Sequence, residues 1–518
     1  MLRVRIIAFI CLSASAGIAS LPDSLGAQTL SVQDPRAEAV RLRNAGDLMG
    51  AAALLRSHLQ AHPDDGDALR LLAETIYWLK DFAGARALSE QALNLHPEDT
   101  DLRLQYARML IETGFGARAR EVLAPLRSTP SAGRADAILG TLAYWEGNLA
   151  EADRLMSSAI ASGDTEPGVR RIHADITILT APRIGVAGGY QHDDQPINRT
   201  SIGAEAGWFP SASTSISVAA QRLGFQLGDT ATRTATLADV TLRQHAAAHT
   251  ELEVAAGGVT RSFGSSSDLT GRVGVEVRLP VHVSFGARVF RSPYFSTEAS
   301  LSQVVMTNTG IAYAHLDDPR GWLGETAYQI RRYDDSNTLT SAYVWLLAPL
   351  VHSPDLSVRA GYSGSLQNSS ESRFSLAHPK QPYTPGDSRF DLSGSYKPYY
   401  TPIDLQSHSA IGAANARLSP EVNFNANGAY AFHATESAPT LLVVTTVSPP
   451  SSVVQRLSHT RSFNPWNAHA SLDFQSPSGF GLVASGDVFR TGLYSASAVS
   501  LALVYRFVGR ALEMAGGY

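Results

Sequence analysis

The N-terminal third of the chain repeats its pattern of polar and apolar positions about every 34 residues. Pro63 and Pro97 are 34 residues apart. A second series with nearly the same spacing consists of Gly46, Lys80, Gly114 and Gly147. Five residues after each of these positions stands an alanine, namely Ala51, Ala85, Ala119 and Ala152. This regularity predicts a stack of similar structural units.

The period resembles that of the tetratricopeptide repeat, in which two amphipathic helices are joined by a tight turn. The alanine lets the two helices approach closely, and the proline ends the second helix of a unit. One unit cannot bury its own apolar face, so several units must stack. We expect about four repeats over residues 35–161 and a terminal helix or connector over residues 165–180. Leu72, Tyr77 and Trp78 are expected on the packed face of the second repeat.

Such an array has two interpretations. It binds a protein or polymer partner in a concave groove, or it is an architectural spacer. Extended concave surfaces are the usual use of stacked helical repeats, so the binding groove is the favoured interpretation. The sequence does not identify the partner.

From about residue 183 the pattern changes to an alternation of apolar and polar residues, in segments of roughly ten residues. Val273, Val275 and Val277 share one face of such a segment, whereas Arg272 and Arg278 share the other. The same alternation marks residues 281–289, 421–433, 466–475 and a last strand from Ser495 to Phe507. The C-terminal two thirds are therefore predicted to form β-strands with one apolar face.

A soluble β-sandwich also alternates, but three features favour a transmembrane barrel. The strands are longer than the usual ~5–6 residues of soluble sheets, and their polar faces carry many charges. Aromatic residues also mark the expected strand ends, as in the girdles of membrane barrels: Trp208, Phe209, Trp322, Tyr333, Tyr362, Tyr396, Tyr399 and Tyr400. Counting the runs gives 16 or 17, and because bacterial barrels have an even number we predict 16 strands and allow 18. Segments near 367–386 and 434–460 are expected to be long extracellular loops.

Composition and the N-terminus fit this assignment. Charged residues make up 17% of the chain, and the net charge of −5 makes nucleic acid an improbable partner. Arg3 and Arg5 precede an uncharged apolar stretch, which predicts a signal peptide over residues 1–27. The single cysteine, Cys11, lies within it, so the mature chain would hold no disulfide. No later segment is apolar enough for a membrane helix.

The polar strand faces give the candidate lumen-lining residues, which are Arg272, Glu276, Arg278, Arg288, Glu325, Arg331, Arg359, Asp391, Asp473, Asp487 and Arg506. A lumen dominated by one sign of charge would indicate ion selectivity. A mixed lumen rich in hydroxyl and amide groups instead suits a hydrated polymer that is neutral or weakly charged. The alternative for each residue is that it only pairs with a charge on a neighbouring strand. No catalytic motif, phosphate loop, cofactor site or metal site is evident, so we do not expect an enzyme.

Repeats followed by a barrel of this size resemble the outer-membrane subunits of exopolysaccharide secretion systems, and in particular the cellulose synthase operon protein C family. Locally, Tyr399, Tyr400 and Pro402 match a Tyr-aromatic-Ser-Pro element of that family, with Thr401 in place of the serine. The ending Tyr505-Arg506-Phe507 resembles the terminal aromatic signature of outer-membrane barrels, although a tail follows it. The family usually carries a much longer repeat array. The resemblance therefore implies polysaccharide export more firmly than it implies cellulose.

By this resemblance, the repeats lie in the periplasm, guide the polysaccharide chain and contact synthase or other periplasmic subunits. The barrel lies in outer-membrane lipid and conducts the polymer. Two alternatives stay open: a poly-N-acetylglucosamine exporter, and a non-conducting anchor or adhesion protein whose repeats bind periplasmic proteins. The predicted organisation is a signal peptide (1–27), a tetratricopeptide-repeat domain (35–180), an outer-membrane β-barrel (183–507) and a tail (508–518).

Overall fold

A computed structural model describes residues 34–508 except 165, 196, 229–231, 248, 265–266, 280–281, 319, 354, 377–390, 393, 448–449 and 493. The predicted signal peptide and residues 509–518 of the predicted tail lie outside this described part. The chain divides into two compact units, Met1–His173 and Ala174–Tyr518.

Nine α-helices and one short 3-10 helix occupy the N-terminal part of the described residues. The α-helices are Pro35–Asn44 (α1), Leu48–Ala61 (α2), Gly66–Trp78 (α3), Phe82–Leu95 (α4), Thr100–Glu112 (α5), Gly116–Leu123 (α6), Ala132–Trp145 (α7), Leu149–Ala161 (α8) and Pro167–Leu179 (α9). The 3-10 helix, Ala124–Ser128, follows α6. Among the described residues, no helix has both the length and the apolar character that crossing a membrane requires.

The predicted repeat is confirmed as four helix pairs, α1–α2, α3–α4, α5–α6 and α7–α8. All four spaced turn positions adopt a positive φ, which is 87° at Gly46, 69° at Lys80, 86° at Gly114 and 75° at Gly147. The four alanines that follow are fully buried, because they stand where the paired helices approach each other. An aspartate or asparagine side chain caps the N-terminus of most of these helices, as Asp81 does by accepting from the N–H of Gly84 at 2.9 Å.

Trp78 does not lie on the packed face of its repeat, which corrects the prediction. Its side chain is 43% exposed because Trp78 is the last residue of α3, beside the tight turn. The guanidinium of Arg43 lies over the indole, 4.7 Å from its centroid. Tyr77 is only partly buried and donates a hydrogen bond to Glu112, whereas Leu72 is buried as predicted.

Lys80 is the one non-glycine among the four turn positions, and its φ of 69° lies in the left-handed region. Left-handed backbone costs an L-residue roughly 1–2 kcal/mol, whereas glycine adopts it freely but loses more entropy on folding. We expect Lys80→Gly to raise the free energy of unfolding of the helical unit by about 0.5–1 kcal/mol. Gly114→Lys, the reverse change at the next turn, is the matched control and should lower it. Urea unfolding followed by circular dichroism at the helical minimum measures both, and stabilisation by the two changes alike would contradict this account.

Twenty β-strands follow in the described residues. They are Arg183–Asp193 (β1), Ile197–Ser211 (β2), Thr214–Leu227 (β3), Arg233–Ala247 (β4), Thr250–Arg261 (β5), Ser267–Arg278 (β6), Val283–Pro293 (β7), Met306–Asp317 (β8), Leu323–Tyr333 (β9), Thr338–His352 (β10), Leu356–Ser369 (β11), Phe374–Leu376 (β12), Asp391–Leu392 (β13), Gly394–Tyr396 (β14), Leu405–Arg417 (β15), Val422–Val447 (β16), Pro450–Phe463 (β17), Trp466–Gln475 (β18), Phe480–Arg490 (β19) and Ser495–Arg506 (β20).

The strands form a closed antiparallel barrel, because β1 pairs with both β2 and β20. Residues 422–430, here called lower β16, pair with β18, and residues 434–447, here called upper β16, pair with β17. Because β17 and β18 both pair with β16 on the same side, they count as one strand of the wall. Within the described residues the wall therefore has sixteen strands, as predicted: β1–β11, β15, β16, β17 with β18, β19 and β20.

The segment predicted as a loop at 434–460 is instead mostly a hairpin. Upper β16 and β17 pair from Ala434 with Phe463 to Val447 with Pro450. The segment is rich in Val and Thr, which suit paired strands, and this explains the difference. The two-residue strand β13 also pairs with upper β16. By contrast, the turns at the opposite end of the barrel, such as residues 212–213 and 476–479, are short.

Candidate lumen of the barrel

Burial distinguishes the two faces of the barrel wall. A wall one sheet thick can bury a side chain completely only on its inner face, because nothing packs on its outer face. Phe225, Val259 and Thr309 have at most 1% of their surface exposed and so mark the inner face of their strands. The residues that alternate with the inner set are mostly apolar and exposed, such as Ile202 at 67% and Val289 at 62%. This outer band suits lipid contact.

The inner faces of β4–β10, here called the charged half, carry ion pairs that run from strand to strand. The Glu253 carboxylate on β5 accepts from Nε of Arg243 on β4 at 2.8 Å and also from Arg272 on β6. Arg278 lies 3.2 Å from Glu276 and 3.7 Å from Glu251. These charges therefore largely neutralise one another within the wall.

The same half continues with hydrogen bonds between carboxylates and aromatic or histidine side chains. Tyr313 donates to Glu276 at 3.1 Å, and Tyr343 donates to Glu325. The Glu325 carboxylate also lies 3.6 Å from Nδ1 of His315. These long side chains, together with Trp345, project into the lumen on this side of the barrel.

The inner faces of β11, β15, β16, β18, β19 and β20, here called the amide half, are different. Their side chains are mostly small and neutral, and they include Ser365, Ser409, Asn423, Asn425, Asn427, Asn467, Ser471, Ser485 and Ser500. The charges among them, such as Arg359, Arg417 and Asp473, stand mainly near the end with short turns. Asn425 Nδ2 donates to Asp473 at 2.5 Å, and Asn415 Nδ2 donates to Asn425 at 2.6 Å.

All but one of the candidate lumen-lining residues lie on the inner face of either the charged half or the amide half. By alternation, Arg272, Glu276, Arg278, Arg288, Glu325 and Arg331 stand on the charged half, and Arg359, Asp473, Asp487 and Arg506 on the amide half. Asp487 pairs with Nδ1 of His469 at 2.7 Å. Asp391 is the exception, because its strand β13 lies against upper β16 and is not one of the sixteen wall strands. Its short alternating stretch resembles that of a wall strand in the sequence.

The motif residues Tyr399 and Tyr400 lie in the segment before β15 and contact the inner wall. Tyr399 is buried and stacks on Tyr333 with ring centroids 3.6 Å apart. Its hydroxyl donates to Asp335 at 2.6 Å. Tyr400 donates to Glu436, which also pairs with Arg461.

Tyr333, Tyr399 and Tyr400 are therefore not girdle residues, which corrects the prediction, because all three contact the inner wall. Trp208 and Trp322 are exposed near strand ends, as a girdle requires, whereas Tyr362 is exposed but lies in the middle of β11. The carbonyl of Pro402 accepts from the N–H of Ser369 at 2.8 Å, which ties the motif to the end of β11.

A second segment, residues 294–305 with a 3-10 helix at Ala299–Leu301, folds onto the inner wall near the same end. Leu301 and Phe295 pack on a buried apolar cluster formed by Ile197, Leu223, Phe225, Leu227, Ala235 and Val259. Thr297 Oγ1 donates to the carbonyl of Pro398, which joins this segment to the one that carries Tyr399. We call residues 294–305 and 397–403 the two inward segments.

The pKa values of Tyr399 and Asp335 are both shifted in the direction that favours the hydrogen bond between the phenol and the carboxylate. Burial and the neighbouring Asp335 raise the pKa of the Tyr399 phenol. Burial alone would raise the pKa of Asp335, but hydrogen bonds from Tyr399, the N–H of Asn337 and Arg373 outweigh it and hold this pKa below its usual value. The Asp335 carboxylate therefore stabilises the folded state at pH values above the ordinary aspartate pKa of about 3.9, and this stabilisation is lost as the pH falls through the lowered pKa.

Sequence reasoning missed Tyr333, Asp335, Arg373 and Phe225 as parts of this arrangement. Asp335 and Tyr399 are 64 positions apart, and no local pattern links them. One feature of the sequence could have indicated a covering segment. Leu223, Phe225 and Leu227 share the otherwise polar face of β3, and apolar side chains on such a face indicate that another part of the protein covers them. Among the described residues, no group of three or more His, Cys, Asp or Glu side chains is placed to hold a metal ion.

Comparison with known proteins supports the repeat assignment directly. A family described as tetratricopeptide repeat matches residues 79–130. No curated protein sequence matches the chain. The chain thus combines tetratricopeptide repeats with a closed sixteen-strand β-barrel whose outer band is apolar, an assignment that rests on the matched repeats, the strand pairing and the exposed apolar residues.

Similar solved structures are related at low identity. A bacterial polysaccharide outer membrane secretin matches with 11% identity and a TM-score of 0.45, over 63% of this chain and 99% of that one. CdiB from Acinetobacter baumannii matches with 13% identity and a TM-score of 0.35, over 63% of this chain and 60% of that one. A tetratricopeptide repeat protein from Parabacteroides merdae matches with 18% identity and a TM-score of 0.27, over 30% of this chain and 60% of that one.

Neutralising Glu253 would unbalance the charged half. Glu253→Gln keeps the side-chain shape but leaves Arg243 and Arg272 without the carboxylate between them. One charge changes the energy of an ion ~8 Å away in water by about 0.5 kcal/mol, so we expect a severalfold rise in the permeability ratio of chloride to potassium. Reversal potentials across a bilayer under a KCl gradient measure it. Glu121→Gln removes an equal charge from the repeats and should change nothing, and an unchanged ratio in Glu253→Gln would refute the assignment.

Proposed function

We propose that this protein is a passive outer-membrane conduit for an exopolysaccharide, cellulose-like in chemistry. In this proposal the helical repeats lie in the periplasm, where they guide the polymer or dock partner subunits. A signal peptide directs the chain to that compartment. The barrel lets the polymer cross without an energy source of its own.

The observation that carries the proposal is a closed wall of sixteen strands with a polar inner face of paired charges, amides and hydroxyls. Barrels of 16–18 strands leave an aqueous channel, whereas smaller ones are filled by side chains. Because the charges pair within the charged half, the lumen presents no single dominant sign that would favour small ions of one charge. A hydrated polymer rich in hydroxyl groups suits such a surface.

The helical repeats support a role in collecting the polymer or its synthesis machinery. Stacked helix pairs present an extended surface on which a partner can lie. The match to the tetratricopeptide-repeat family covers residues 79–130, in the middle of the array. The family resemblance of Tyr399, Tyr400 and Pro402 points in the same direction.

Permeation of purified protein tests the proposal. Liposomes that contain the full mature chain are diluted into isotonic sugars of graded size, from a monosaccharide to linear oligosaccharides. We expect swelling with the smaller sugars and slower swelling as length increases. Protein-free liposomes are the control. Failure of every sugar to permeate would contradict the proposal.

A non-conducting anchor is the second candidate, and the two inward segments favour it. They cover part of the inner wall near one end of the barrel and are held by buried contacts. If they close the lumen, liposomes would not swell, and the repeats alone would carry the function by binding periplasmic proteins.

A second alternative is export of poly-N-acetylglucosamine instead of a cellulose-like polymer. Deleting the gene and identifying the polymer that disappears from the cell surface distinguishes the two.

A further inference from the structure

The two halves of the lumen wall differ in how many polar groups are free to bind a guest. In the charged half, Glu253, Glu276 and Glu325 each have a partner within the protein. In the amide half, Asn427 and Asn467 are exposed, and their side chains have no hydrogen-bond partner among the described residues. The amide half therefore offers two carboxamides that are free to bind a guest.

Asn427 and Asn467 are also close to each other. Asn427 on β16 pairs in register with His469 on β18, and Asn467 stands two residues from His469 on the same face. Diagonal neighbours of this kind have Cβ atoms less than ~7–8 Å apart. The two carboxamides thus form one short stretch of polar surface.

Space in the lumen is unevenly distributed as well. Small side chains, namely Ala413, Ala429 and Ser471, border the two asparagines on the inner face, beside the paired His469 and Asp487. The opposite half is occupied by Arg, Tyr and Trp side chains. The apolar clusters that hold the inward segments lie on β2–β5 and β8–β10, on the side of the charged half, and the polar contacts of Tyr400 and Pro402 with β16 and β11 lie at the end of the barrel away from the short turns.

We propose that the polymer crosses the barrel off-centre, along the amide half, with Asn427 and Asn467 as a binding track for the hydroxyl groups of a neutral glycan. This deepens the proposed function and rests on it. A carboxamide both donates and accepts hydrogen bonds, as a sugar hydroxyl does. Neutral hydrogen bonds are individually weak, which lets successive sugar units bind and leave as conduction requires.

Blockade of single-channel current by cellohexaose, a neutral linear oligosaccharide, tests the track. The full mature chain is reconstituted in a planar bilayer, and the duration of each blockade is recorded. The Asn427→Ala and Asn467→Ala double variant removes both carboxamides. The control is the Gln221→Ala and Gln329→Ala double variant, which removes two inner-face carboxamides, also without partners among the described residues, from β3 and β9.

We expect blockades to shorten about tenfold in the asparagine variant, as the loss of two hydrogen bonds implies, and to keep their wild-type duration in the glutamine variant. Unchanged blockades in the asparagine variant, or equal shortening in both, would overturn the track while leaving the conduit intact. An open wild-type channel that cellohexaose never blocks would overturn the proposed function itself, and with it the track.

Cysteine protection gives a second measurement that does not depend on current. The chain has one native cysteine, Cys11, which lies in the predicted signal peptide, so an introduced thiol is the only one in the mature chain. We expect cellohexaose to slow maleimide labelling of Asn427→Cys and to leave labelling of Gln221→Cys unchanged. Equal protection at both positions would overturn the off-centre path.

Discussion

Tyr399→Ala is expected to release the segment 397–403 from the inner wall and to raise single-channel conductance. Tyr399 is 1% exposed, stacks on Tyr333 and donates a hydrogen bond to Asp335. Truncation of a buried aromatic side chain costs about 3–5 kcal/mol. We expect most of this loss to lower the free energy with which segment 397–403 binds the inner wall. Conductance in planar bilayers and the rate of proteolysis at the segment should both increase.

Tyr399→Phe is the matched control for this prediction. It keeps the ring between Tyr333 and Tyr294 and removes only the hydroxyl that binds Asp335. Its effect should be smaller, about 1.5–3 kcal/mol, because it loses one hydrogen bond to a charged group. If Tyr399→Ala has wild-type conductance and wild-type proteolysis, the stacked tyrosine does not hold the segment.

Arg461→Met is expected to destabilise the end of the barrel where upper β16 pairs with β17. The Glu436 side chain is 1% exposed, and it binds Arg461 and the hydroxyl of Tyr400. Removal of Arg461 leaves Tyr400 as the only partner of a buried carboxylate among the described residues. Breaking a buried ion pair in this way costs about 3–5 kcal/mol. The temperature at which the folded band disappears on a semi-native gel should fall.

A rescue variant separates charge burial from lost packing. Adding Glu436→Gln to Arg461→Met removes the buried charge, and we expect it to recover most of the loss. Glu436→Gln alone should cost less than Arg461→Met, because Arg461 is 29% exposed and stays hydrated. A double variant no more stable than Arg461→Met would show that packing, and not the unpaired carboxylate, causes the effect.

The sequence predicts those features of the fold that depend on local periodicity. The spacing of Gly46, Lys80, Gly114 and Gly147 identifies turns that need a positive φ, and the structure has all four. Alternation in residues 271–279 places Arg272 and Val273 on opposite faces because strand geometry has a period of two. These inferences need only neighbours within a few positions of each other.

Contacts between distant segments were beyond this reasoning. Tyr399 has an aromatic neighbour in sequence and a place near a strand end, both of which suggest a girdle. It faces inward because Tyr333 and Asp335, from another part of the chain, provide a stacking surface and a hydrogen-bond acceptor. Asp391 likewise stands in an alternating stretch, but it pairs with an extension of β16 that the sequence does not distinguish from a loop.

Polysaccharide at the surface of living cells tests the central claim most directly. The gene is deleted and then restored as wild type in the strain that makes this protein, and secreted polysaccharide is quantified by dye binding and sugar analysis. We expect deletion to remove polysaccharide from the cell surface and to cause it to accumulate in the periplasm. Complementation should restore it to the surface. Surface polysaccharide unchanged in amount and composition after deletion would contradict the claim that this barrel is its route out of the cell.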